Sequence, residues 1–303
     1  MISDGFRYRA KIDLSSPNDP HALAVGRVPA GTDVLDLGAA DGSVAAVLKR
    51  MNCRVWGVEI DSEAAERARQ ECEEVVVADL NELDLSSQFG GREFDVVLML
   101  DVLEHLVDPA ATLRAVRQVL RGSGWGVISL PNVAHISVRL SLLEGRFNYT
   151  DLGLLDRTHL HFFTAEGVEA LLSEAGWGSF EVVRVTRDLG TTEIEVESPD
   201  PRLIEQLKRD PEALTYQFVL MAAPEGSQVL DDPPLLPAAI AQSALLDAHR
   251  FNQIAEFWAE LEKIRGASLA RRQHLRYLVS NLRENSQRIA DTLAEIGDGA
   301  TRT

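Results

Sequence analysis

The sequence predicts an α/β protein with a parallel sheet, helices on both of its faces and a helical extension behind it. Three observations predict it. Short apolar runs alternate with amphipathic segments from Thr32 to Leu130, the pattern of strand-helix-strand units. A glycine-bearing turn at 34–42, Val-Leu-Asp-Leu-Gly-Ala-Ala-Asp-Gly, joins the first apolar run to a helical pattern. Beyond a proline-bearing stretch, apolar residues recur at three- and four-residue spacing on an otherwise charged tail.

At 303 residues the chain is long enough for one large domain plus an appendage. Its formal charge of −17 excludes a broad phosphate-binding surface, because nucleic-acid recognition relies on clustered Lys and Arg. Small or neutral acceptors are favoured, and no nucleic-acid partner is expected. Cys53 and Cys72 have no paired spacing, so neither a disulfide framework nor a zinc site is indicated. The start lacks a basic segment followed by an apolar one, and no run reaches the ~20 apolar residues of a membrane span. A cytoplasmic location is the expectation.

Taken in order, residues 1–31 read as a polar arm ending in a short helix from His21 to Val28, with Phe6, Tyr8 and His21 as its ligand-facing candidates. The main domain is 32–223. Val34, Leu35 and Leu37 fit a buried parallel strand, and helices are expected over Ser43–Met51, Ser62–Cys72 and Pro109–Leu120. Arg54–Glu59, Val75–Val77 and Phe94–Leu100 read as further strands; Gly122–Gly126 reads as a turn into another at Val127–Leu130. Thr164 to Gly176 has the form of a capped helix. Strands at Phe180–Thr186 and Tyr216–Met221 follow, with an irregular insertion between them. Residues 224–237 read as a linker and 238–303 as a helical oligomerisation tail, whose narrow stripe through Leu275, Leu278, Leu282, Ile289 and Leu293 predicts a homo-oligomeric coiled-coil contact.

The turn at 34–42 is a cofactor cradle. Gly38 and Gly42 let the backbone bend tightly and approach a ligand, and the amides opening the next helix point into the turn. A phosphate loop would need Lys and Ser or Thr behind its last glycine, whereas Ser43, Val44 and Ala45 stand there. A dinucleotide site would want three glycines where this chain has Gly38, Ala40 and Gly42. Acidic Asp36 and Asp41 suit a cationic ligand better than a pyrophosphate. S-adenosylmethionine, with its sulfonium, is such a ligand.

On these residues the stretch resembles the first motif of class I S-adenosylmethionine-dependent methyltransferases, with Ala40 in place of the usual middle glycine. That resemblance implies a Rossmann-like seven-stranded sheet. Glu59, at the end of the second strand, is then the ribose ligand, and Asp79 with Leu80 matches the adenine-side motif. Ile60 and Leu100 are further implied cofactor contacts.

The segment 131–164 breaks the regular alternation. Its Pro131-Asn-Val-Ala-His, Gly145-Arg-Phe-Asn-Tyr and Leu154-Leu-Asp-Arg-Thr-His-Leu-His-Phe-Phe-Thr stretches resemble a glycosyltransferase-associated bacterial subgroup of these enzymes. The resemblance implies O-methylation of a sugar hydroxyl in a glycan, glycolipid or glycosylated natural product. The alternatives are O-methylation of a phenol or quinone, and an inert methyltransferase fold acting through its coiled coil. Aromatic residues make up only 6% of the chain, which tilts this reading towards the sugar.

Removing the acceptor's proton near neutral pH suits a histidine. The loop offers His159 as first choice, with His135, His161 and nearby Asp156. Asp101, Glu104 and His105 follow the fourth strand at helical spacing. Methyltransferases of the ubiquinone pathway and of small-RNA ribose carry a similar sequence that binds a divalent metal, which implies a Mg²⁺ or Mn²⁺ site completed by His159. The competing reading makes Asp101 and Glu104 a capping box without metal.

Overall fold

A computed structural model of the chain describes residues 12, 16, 18–197, 199–231 and 233. The chain divides into two units, Met1–Pro234 and Leu235–Thr303, and the tail helices with their expected seam lie outside the described residues, as do Phe6 and Tyr8.

Apolar runs become strands where both faces are covered. β1 (Asp33–Leu37) is buried along its whole length, and β2 (Arg54–Glu59), β3 (Glu74–Val77), β4 (Phe94–Leu100) and β5 (Leu120–Pro131) lie parallel in the same sheet. β6 (Trp177–Thr186) and β7 (Thr215–Pro224) close it antiparallel, giving the order β3-β2-β1-β4-β5-β7-β6. This is the seven-stranded Rossmann-like sheet expected from the sequence. Leu35, Leu37, Phe94, Met99, Trp177 and Phe218 fill its core.

The helices start on side chains that satisfy their open amides. Asp19 caps α1 (Pro20–Val25), Asp61 caps α3 (Ser62–Ala68), Asp84 caps α4 (Leu85–Phe89) and Asp108 caps α5 (Pro109–Val116), while α2 (Ser43–Arg50) follows left-handed Gly42. His135 caps α6 (Ile136–Leu143) and Thr164 caps α7 (Ala165–Ala175), which ends on left-handed Gly176 as predicted. α8 (Pro201–Leu207), capped by Asp200, lies in the insertion between β6 and β7.

Several boundaries differ from the sequence reading, and pairing explains them. α3 stops at Ala68 instead of Cys72 because Glu74 must already pair with Trp56. α5 stops at Val116 because Leu120 is held opposite Phe94. The expected turn at Gly122–Gly126 is a bulge inside β5: the register jumps from Leu120 to Trp125, and a side chain at Gly124 would meet the Phe94 and Asp95 carbonyls at 2.9 Å. β7 runs on to Pro224 and α9 (Gln228–Asp231) buries Val229, so the first part of the expected linker is folded.

Two features position the site. The strand order reverses between β1 and β4, which opens a crevice at their carboxyl ends. The irregular segment after β5 is pinched at its base, where Asn132 bridges Phe163 and the Val133 amide donates to the Phe163 carbonyl at 2.9 Å. Among the described residues no helix is long and apolar enough to cross a membrane.

Candidate active site

The crevice holds a cavity of about 810 Å³ whose floor is the β1–α2 turn. Gly38 and Gly42 take φ of +80° and +81°; a Cβ at Gly38 would lie 2.7 Å from Val102 Cγ2, and one at Gly42 would lie 2.8 Å from Ala68 Cα. The sequence needs glycine at both positions. Ala40 also holds a left-handed φ of 48°, so the residue replacing the usual glycine keeps a glycine's conformation.

Glu59 is tied to this turn. One carboxylate oxygen accepts from the Ala40 amide at 2.8 Å and the other from the Asp61 amide at 2.8 Å. A carboxylate has about four acceptor positions, so each oxygen retains capacity for a ligand hydroxyl. Asp36 lies beneath the turn at 3% exposure, and burial first, then Glu59, pushes its pKa up to about 7. Asp79 is held by the Asn81 amide at 2.9 Å and the Asn81 side chain at 2.8 Å. The cavity is lined by all the expected cofactor positions, Ile60, Leu80 and Leu100 included, except Gly42. Gly42 instead lets α3 approach the turn. Half-buried His21 of α1 also lines the cavity.

The cavity's far wall carries His105 and Thr158. Here the structure separates residues that the sequence grouped. Asp101 takes φ 55° and turns its carboxylate onto Ser129 Oγ at 2.9 Å and onto Gln217 Nε2. It lines the cavity and its charge acts on Glu104 and His159, but it does not join the three residues whose ligating atoms lie within 4.8 Å of one another. Leu103–His105 is a single 3₁₀ turn whose N-cap, Val102, makes no side-chain bond. The capping-box reading therefore fails.

Glu104, His105 and His159 come together, with one ligating atom from each lying within 4.8 Å of the others. Glu104 is fully buried and neither carboxylate oxygen has a hydrogen-bond partner; His159 Nδ1 is likewise buried and unpartnered. Burial, then Asp101, raises the Glu104 pKa well above its ordinary value. Burial, then His105, lowers that of His159. Buried polar atoms without partners are costly, and here they converge on one point. This set of oxygen and imidazole donors fits a divalent cation.

The remaining candidates have other work. His135 is a structural cap, a correction to its place among the base candidates. Its Nδ1 meets Ser137 Oγ at 2.8 Å and its Nε2 meets the Arg187 carbonyl at 2.9 Å, which leaves no ring nitrogen to take a proton. His161 lies outside the cluster, with Nε2 3.3 Å from the Val107 carbonyl and its ring stacked on Phe163. Asp156 is buried and shapes the loop, accepting from the Thr158 amide at 2.8 Å and hydroxyl at 2.7 Å.

Thr158, Ser129 and Gln217 went unnoticed in the sequence. Ser129 and Gln217 were detectable as lone polar residues inside apolar strands, and Thr158 by its place two residues after an Asp. An aromatic wall stands beside the cluster: Phe147 meets Tyr149 at 5.6 Å and Phe162 at 5.5 Å, and Phe162 lies 6.0 Å from the His159 ring.

A family model described as a methyltransferase domain matches residues 8–183. Among curated proteins, the chain is 29% identical over 122 residues to the ubiquinone biosynthesis O-methyltransferase of Albidiferax ferrireducens, covering 39% of this chain and 48% of that one. It is 26% identical over 160 residues to the protein of the same name in Thiobacillus denitrificans, covering 52% and 69%. A probable S-adenosylmethionine-dependent methyltransferase of Mycobacterium tuberculosis is 32% identical over 147 residues, covering 48% of each chain. The match thus spans about half the length of the first and third relatives. A solved S-adenosylmethionine-dependent methyltransferase from Thermotoga maritima, titled a possible histamine N-methyltransferase, superposes with a TM-score of 0.47 at 19% identity, covering 67% of this chain and 86% of that one.

Proposed function

Because this chain belongs to the methyltransferase-domain family, we propose that it is an S-adenosylmethionine-dependent O-methyltransferase whose acceptor is a hydroxyl on a phenol- or quinone-type ring. Among the residues lining the cavity, Glu59 would accept from the cofactor's diol, Asp79, Ile60 and Leu80 would flank its adenine, and Gly38 and Asp36 would face its cationic methionine end. In the reaction the methyl carbon would pass from sulfur to the acceptor oxygen, which would approach from the opposite side. The products are S-adenosylhomocysteine, the methyl ether and a proton. Alignment of the two partners supplies much of the rate in such a displacement.

The observation that carries the acceptor class is the aromatic wall beside His159. The chain's low aromatic content favoured a sugar, but Phe147, Tyr149 and Phe162 pack together, and Phe162 meets the ring of His159. A flat acceptor ring gains from edge and face contacts with such side chains. The names of the two ubiquinone biosynthesis relatives support the same reading.

Glu104, His105 and His159 would hold a divalent cation, which supplies Lewis-acid polarisation of the acceptor hydroxyl. His159, with its lowered pKa, keeps its Nδ1 lone pair for the cation or for the hydroxyl proton.

The test is a methylation assay with labelled cofactor and Mn²⁺ or Mg²⁺ on matched panels of catechols, hydroxyquinones and sugars. Label in the ring compounds alone is expected. Label in the sugars alone would reinstate the glycan acceptor, and label in neither would remove both.

A further inference from the structure

Resting on the cation reading above, the geometry points to a relay, Asp156 to Thr158 to His105, that fixes which ring nitrogen of His105 faces the ion. Asp156 Oδ1 accepts from the Thr158 amide at 2.8 Å and from its hydroxyl at 2.7 Å. A threonine hydroxyl has one proton, and the Asp156 carboxylate takes it. Towards His105 Nδ1, 3.1 Å away, Thr158 Oγ1 is therefore an acceptor. The Thr158 carbonyl, 3.2 Å from the same nitrogen, is an acceptor by nature. Two acceptors on one nitrogen require a hydrogen there. His105 carries its proton on Nδ1, and Nε2 presents the lone pair to the cation shared with Glu104 and His159.

The relay gives Asp156, expected from the sequence only as a catalytic candidate beside the histidines, a defined role: it is a positioning residue that acts through Thr158. It also couples the acceptor loop to the turn after β4. The loop is further held there by the Leu160 and His161 amides, which donate to the Glu104 carbonyl at 2.8 and 3.1 Å. A ligating histidine whose second nitrogen is engaged in this way is fixed in tautomer and ring orientation, and losing the partner costs about 10–100-fold in metal affinity.

The test has two arms on the full chain. Long-range nitrogen–proton NMR of histidine-labelled protein without metal, assigned with His105→Gln, reads the tautomer directly; Nδ1 protonated and Nε2 bare is expected. Calorimetric titration with Mn²⁺ should then show Thr158→Val weakened by ~10-fold or more while Thr158→Ser, which keeps the hydroxyl, stays near wild type. An Nε2-protonated His105, or Thr158→Val binding Mn²⁺ like wild type, overturns the relay. A wild-type protein with the expected tautomer and no Mn²⁺ affinity overturns the cation reading itself and the relay's purpose with it. The NMR arm thus separates the two failures.

Discussion

The rings of His105 and His159 meet edge to face, 4.8 Å between centroids and 71° between planes, and so join the turn after β4 to the loop that follows β5. Of the two, His105 lines the cavity above the β1–α2 turn, and His159 belongs to the loop in which the acceptor side is proposed. Predictions on either side of this pair are separable.

On the cofactor side, Glu59→Ala removes an acceptor of two backbone amides and, on the proposed reading, of the cofactor's diol. Affinity for S-adenosylmethionine should fall at least ~10–100-fold, the loss that corresponds to one charge-assisted bond of about 1.5–3 kcal/mol. Calorimetry with unchanged affinity would take Glu59 out of the binding site.

Asp36, with its pKa raised to about 7, keeps a proton in the folded chain that the unfolded chain releases near its ordinary value of 3.8. Stability of the ligand-free protein should therefore fall as pH rises from about 4 to 7, by up to ~4 kcal/mol from this group. A cationic ligand favours the ionised form, so cofactor binding near pH 6.5 should release a proton and its apparent enthalpy should change with the buffer's ionisation heat. Asp36→Asn should abolish that buffer dependence. Equal enthalpies for wild type in phosphate and in Tris would refute the linkage.

Glu104 sets function against stability. Its raised pKa means that the folded chain binds a proton the unfolded chain loses above the ordinary glutamate range, so this group costs stability as pH increases. In metal-free protein, Glu104→Met should stabilise the fold by about 1–3 kcal/mol by removing an unsatisfied buried carboxyl. Turnover should be lost. Wild-type Mn²⁺ affinity should rise with pH, since the ion displaces the proton. A destabilised but active variant would argue for a purely structural carboxyl.

The β1–α2 turn allows an opposed pair. Ala40→Gly relieves a left-handed alanine and should stabilise by about 1 kcal/mol. Gly42→Ala drives a methyl into the α3 backbone and should destabilise by about 1–3 kcal/mol. Equal thermal midpoints for the two would contradict the geometry.

For the tail, we propose a dimer made through residues 238–303. Because α9 is folded with the sheet, truncation belongs after Pro234 rather than after Pro224. Light scattering should find an oligomer for the full chain and a monomer for 1–234; an oligomer that survives truncation sinks the idea.

The sheet was legible because its central strands, such as β1 and β4, are apolar runs covered on both faces, and the cofactor turn because glycine, acid and apolar residues recur there at fixed spacing. Helix ends were less legible. Strand pairing across the sheet, such as Glu74 with Trp56, decides where α3 stops, and no local pattern records it. The acceptor side was half legible. Histidine content showed where chemistry gathers, but whether a ring nitrogen faces a carboxylate, as in His159, or a backbone carbonyl, as in His135, depends on chain segments far apart. Asp101 stays close enough for its charge to act on Glu104, but with a left-handed φ at its own Cα its carboxylate is bonded to Ser129 and Gln217, partners far away in sequence.

The bridge between Asn132 and Phe163 closes the acceptor loop at its neck before it reaches any catalytic group. Everything between those two residues is an excursion from a sheet that is complete without it. If the loop selects the acceptor as proposed, an exchange between 133 and 162 with another enzyme of the family should move acceptor preference with it, provided that the incoming stretch keeps the amides that meet the Glu104 carbonyl.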